Sequence, residues 1–158
     1  MKRHAIPTAI GVFLLVFILS PASVLGQAIP GAAGAGIGPF PPGTVFSGIP
    51  LNGLQFGMGA FIPGDSTAAG GLQATLLGTS LLGQPQNIEV QGQATNGALN
   101  VDGSRTLSGL ATVDLGDGSP PQTNVPFTAT ATATSLLLAI NNLGLPAVAL
   151  SGGVITIQ

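Results

Sequence analysis

The stretch Val113-Asp114-Leu115-Gly116-Asp117-Gly118-Ser119 places two carboxylates three residues apart, the closest such spacing in the chain. Two chemistries suit acids so placed. A pair of carboxyl groups can divide the acid and base roles of glycoside hydrolysis, and Glu89 with Asp102 forms a second pair to weigh. Hard oxygen donors can also hold calcium, which makes Asp114 and Asp117, with the intervening carbonyls and Ser119, the calcium candidates. A calcium loop carries acidic or amide residues at alternate positions and a distal Glu, and this stretch has neither. The plainer reading is a strand ending in a turn, with Asp117 accepting hydrogen bonds from nearby backbone N–H groups and Gly118 supplying a positive φ. On that reading there is no catalytic, cofactor-binding or metal residue to assign, and no cofactor is expected.

The rest of the composition narrows the chemistry further. Residues 1–26 read as a signal peptide: Lys2, Arg3 and His4 form the positive end, and Thr8 to Leu19 form an apolar stretch short for a bilayer span. Ser20-Pro21 breaks it, and Val24-Leu25-Gly26 offers a cut before Gln27. The expectation is export to the periplasm or the medium, with no transmembrane segment in the mature chain. Cleavage would leave Arg105 as the one cation against Asp65, Glu89, Asp102, Asp114 and Asp117, a net charge of −4. Lys, His, Cys, Tyr and Trp would all be absent. A nucleophilic triad then has no base, and zinc and copper lack their usual ligands. Disulfides cannot form. One cation cannot neutralise a phosphate backbone, so nucleic acid is excluded as a partner. Without Trp or Tyr platforms, a glycosidase is disfavoured as well. Arg105 is expected to pair with a nearby carboxylate.

What must position these groups is a set of short strands. Residues 27–43, Gly/Pro/Ala-rich and uncharged, read as a linker or an extended arm, and 44–158 as one all-β domain. In "NVPFTATATAT", Val125, Phe127, Ala129, Ala131 and Ala133 share one face while Pro126, Thr128, Thr130, Thr132 and Thr134 share the other. Leu54, Phe56, Met58, Ala60 and Ile62 alternate with Gln55, Gly57, Gly59 and Phe61. Ile88, Val90 and Ala94 alternate with Glu89, Gln91, Gln93 and Thr95, and Leu107, Ala111, Val113 and Leu115 with Ser108, Thr112 and Asp114. Shorter runs cover Leu72 to Leu77, Ala98 to Val101, Leu136 to Ile140, Ala147 to Leu150 and Val154 to Ile157. Turn signals lie at Gly64-Asp65, Asn96-Gly97, Asp102-Gly103, Asp117-Gly118, Asn142 with Gly144, and Gly152-Gly153. The pattern predicts an antiparallel meander forming a small β-sandwich or barrel, with Phe46, Phe56, Phe61 and Phe127 as the bulky core members.

The pieces "FGMGAF", "IEVQGQATNG", "LSGLATVDLGDG", "PFTATATAT" and "GGVITIQ" together resemble small secreted Gly/Thr-rich β-domains of uncharacterised bacterial proteins. The similarity runs from Phe56 to Gln158 and implies no activity or site residues. "VDLGDG" is similar to the "WDFGDG" turn of PKD-type immunoglobulin-like domains, with Val113 in place of the tryptophan. Both resemblances imply extracytoplasmic scaffolding or adhesion. The expected function is that of a secreted, non-enzymatic structural or interaction protein. The alternative is an extracellular adhesion or carbohydrate- or surface-binding module, with a surface glycan or a protein as partner.

Overall fold

The computed structural model describes residues 30–64 and 66–158, so the expected signal peptide at 1–26 lies outside the described residues, as does Asp65. Alternating small, β-branched and polar residues build eleven strands and, among the described residues, no helix. They are β1 (Gly31–Pro39), β2 (Val45–Phe46), β3 (Ile49–Phe61), β4 (Thr67–Gly78), β5 (Ile88–Leu99) and β6 (Arg105–Asp114). After these come β7 (Gln122–Ala131), β8 (Ser135–Ile140), β9 (Leu143–Gly144), β10 (Val148–Ala149) and β11 (Gly152–Ile157). All pairings are antiparallel, in the order β10-β8-β7-β6-β5-β4-β3-β1-β11, with β2 on β3 and β9 on β8. The result is a curled sheet forming a half-barrel.

The two ends of this path, β10 and β11, are consecutive in the chain and separated only by Leu150-Ser151. The Leu150 amide donates to Thr134 O at 2.9 Å on one side, and the Ser151 amide donates to Ile37 O at 2.8 Å on the other. One short segment therefore ties β8 to β1.

The inner face carries the core. Leu54, Leu76, Ile88, Leu107, Leu136 and Ile140 are wholly buried, and Phe56 and Phe127 fill the space between them. The expected phase of β3, β5 and β6 holds, with Val113 buried, Leu115 packed against the core and Asp114 pointing out. No helix among the described residues is long and apolar enough to cross a membrane.

Several expectations are corrected. Gly31–Pro39, expected as part of a linker or an extended arm, is a strand paired on both sides, with β3 and β11. Its glycines permit this, since a side chain on Gly31 or Gly34 would run into the Ala60 or Val154 carbonyl. Asn96-Gly97 is not a turn: β5 continues through it to Leu99, absorbing a bulge between Ala94 and Asn96. Gly97 is needed there because a Cβ would lie 2.7 Å from Ile62 Cγ1. Gly152-Gly153 lies within β11 rather than at a turn. β7 stops at Ala131, because the Thr132 hydroxyl accepts the Thr134 and Ser135 amides and turns the chain, which leaves Ala133 exposed. Phe61 is on the outer face, 43 % exposed, and the buried aromatic that the sequence did not single out is Phe40.

Candidate binding face

The carboxylates are dispersed. Glu89, near the start of β5, lies at the opposite end of that strand from Asp102, so they form no pair. Its cross-strand neighbour is instead Asp114, the last residue of β6. The Glu89 carboxylate accepts the Thr75 hydroxyl at 3.0 and 3.1 Å, and Asp114 Oδ1 accepts the Gly116 amide at 2.9 Å. Asp117 Oδ1 accepts the Ser119 amide at 2.9 Å and its hydroxyl at 2.5 Å, while Gly118 adopts φ +83°. Asp102 repeats this arrangement with Ser104, at 2.9 and 2.7 Å, with Gly103 at φ +84°. The Asp-Gly-Ser triplet is thus one turn used twice. In both turns the serine hydroxyl, then its amide, holds the aspartate below its ordinary pKa. Among the described residues no three His, Cys, Asp or Glu side chains come together as a metal group.

The Asp102 turn anchors a polar chain. Asn100 Nδ2 donates to Ser104 Oγ at 2.8 Å and to Thr106 Oγ1 at 2.9 Å, and Thr106 Oγ1 meets Thr130 Oγ1 at 2.9 Å. Ser104 is buried within it. Arg105 pairs with no Asp or Glu side chain among the described residues. Its guanidinium donates to the Gly103 and Ser104 carbonyls and, because the end of β11 lies beside the start of β6, to the main-chain oxygen of Gln158.

What the register does assemble is the outer face. Gly57, Gln73, Gln91 and Thr112 stand side by side on β3 to β6, and Gly59, Gly71, Gln93 and Leu110 form the next row. Gln55, Thr75 and Glu89 form the row on the other side. Glycines leave the sheet bare between these side chains, which creates two adjoining depressions of about 730 and 510 Å³ that share Gly57, Gln73 and Gln91. Gln93 lies along the surface, donating to Gly70 O at 3.1 Å. Gln55, Gln73 and Gln91 make no side-chain hydrogen bond among the described residues. Strand alternation marks each glutamine as outward-facing, but only the pairing register brings them into one trough.

No family model matches the chain, and no curated protein or solved structure is significantly similar to it.

Proposed function

We propose that this is an exported, non-enzymatic interaction protein that works through the outer face of its curled sheet. The observation that carries the reading is the open trough of Gln55, Gln73 and Gln91, polar side chains that make no hydrogen bond among the described residues. Polar side chains lined up across a sheet have fixed backbone positions, so a ligand has only their rotamers to order. Among the described residues Glu89, Asp102, Asp114 and Asp117 each accept from a neighbouring donor, which favours binding over catalysis. The hydrogen bonds of Leu150 and Ser151 support reading the half-barrel as a small barrel completed by the C-terminal segment.

Export rests on the N-terminal pattern Lys2-Arg3-His4, the apolar stretch and Val24-x-Gly26. The test of the function is saturable binding of the purified protein to cell-surface and extracellular fractions. Wild type should saturate, and an inert scaffold would show only linear, non-specific uptake. Mass spectrometry of the exported pool should find a chain starting at Gln27; an intact Met1 there overturns the export reading.

A further inference from the structure

We propose that the trough binds an extended, neutral polysaccharide chain laid across the strands. This rests on the reading of the outer face as the interaction surface and names its ligand class. A primary amide offers donors and an acceptor together, as a sugar hydroxyl does, so the free heads of Gln55, Gln73 and Gln91 match a hydroxyl-rich ligand in both senses. The charge balance selects for neutrality. Glu89 lines one end of the trough with Asp114 beside it, while Arg105 stands at the far end of β6, so an anionic polymer meets repulsion and no cation.

The shape selects for length. The lining runs from β1 to β7, five inter-strand spacings or about 24 Å, which suits an oligosaccharide stretch rather than a single sugar. Gly57, Gly59 and Gly71 let the face of a sugar ring approach the backbone closely. A peptide strand would seek main-chain partners at a sheet edge, and this face offers none. With no aromatic platform in the trough, each sugar contributes only hydrogen bonds of modest net worth, so affinity must accumulate along the chain.

The experiment is affinity electrophoresis of the exported protein in gels containing hydroxyethyl cellulose, galactomannan or polygalacturonate, together with titration by neutral oligosaccharides of increasing length. At least one neutral polymer should retard wild type, with affinity rising with chain length, and polygalacturonate should not. The Gln73→Ala/Gln91→Ala variant should bind at least tenfold more weakly with an unchanged Tm, while Thr128→Ala, outside the trough, binds as wild type. Equal binding by the double variant, or preferential retardation by polygalacturonate, overturns the proposal. If no neutral polymer binds but a protein or cell-surface fraction binds saturably, the polysaccharide inference falls and the interaction reading stands. No saturable binding to anything removes both.

Discussion

The ring of Phe127 on β7 lies against the bare backbone of Gly92, two strands away on β5: a methyl group built on Gly92 would sit 2.7 Å from Cε1 and 2.9 Å from Cζ. Ring and glycine are complementary halves of one packing contact, and Phe127 is 3 % exposed. Phe127→Ala should therefore cost about 3 kcal/mol through the cavity it leaves. Gly92→Ala should cost about 1–3 kcal/mol by forcing the ring aside. In the double variant the new methyl enters the vacated space, so the loss should be smaller than the sum of the two. Urea unfolding of the four proteins measures the coupling, and strict additivity would mean the two sites do not touch.

Thr128 and Thr130 share the wet face of β7, yet only Thr130 is joined to the chain of hydrogen bonds through Thr106, Asn100 and Ser104 to Asp102. Thr130→Ala should cost about 1 kcal/mol, since the partly buried Thr106 hydroxyl keeps Asn100 but loses its cross-strand partner. Thr128→Ala should change stability by less than about 0.5 kcal/mol. Equal effects at the two positions would argue against the network.

The contrast between these two threonines marks how far the sequence could be read. Period-two alternation was enough to put Leu54, Val90, Val113 and Phe127 inside, because burial follows directly from strand phase. It was blind to partners across strands. Nothing in "GAAGAGIG" alternates in polarity, so the sequence there suggests a linker or an extended arm, although its glycines are what allow β3 and β11 to close in on it. Asn96-Gly97 has the composition of a hairpin turn, but the packing of Ile62 over Gly97 keeps it in a strand. The Asp117 turn was legible because its bonds are local. The grouping of Gln55, Gln73 and Gln91 was not, because it depends on the registers of two strand pairs, β3 with β4 and β4 with β5.

Asp102 and Asp117 are each held below the ordinary aspartate pKa by their serine neighbours, so both stabilise the fold when ionised. A group whose folded pKa is depressed contributes above its unfolded pKa and loses that contribution as pH falls through the folded value. The Tm should thus be flat from neutral pH down to the ordinary carboxylate range and decline below it. Asp102→Asn/Asp117→Asn, whose amide oxygens can still accept from serine, should show a shallower decline. Thermal melts of both proteins across acidic pH check this, and an unaltered slope would assign the acid sensitivity to other groups.

Asp114 and Asp117 spend their Oδ1 atoms on different amides, those of Gly116 and Ser119, instead of converging on a common point. Calcium at millimolar concentration should then leave the Tm where a chelator leaves it. A bound ion would raise it by mass action, by the equivalent of about 2.7 kcal/mol at a hundredfold excess over Kd. A clear calcium-dependent rise would overturn the turn-only reading of this loop.

Gly38 and Gly57 both occupy central strands, yet they should respond oppositely to a methyl group. At Gly38 the added carbon would run into the Ala149 carbonyl and lie 2.5 Å from Val148 Cγ1, where β1 meets the segment that ties the sheet's two ends together. At Gly57 it would meet nothing within 4 Å. Gly57→Ala should therefore be neutral or stabilise by up to about 1 kcal/mol, through the reduced freedom of the unfolded chain. Gly38→Ala should cost about 1–3 kcal/mol, because backbone rather than a flexible side chain must yield. The damage should also be local. Hydrogen exchange should quicken at the Leu150 and Ser151 amides, which bond Thr134 and Ile37, before it does at the amides of β5 and β6. Uniform loss of protection across the sheet would mean that the tie between β8 and β1 is no weaker than the rest of the half-barrel, and that the strain at Gly38 is shared by the whole fold.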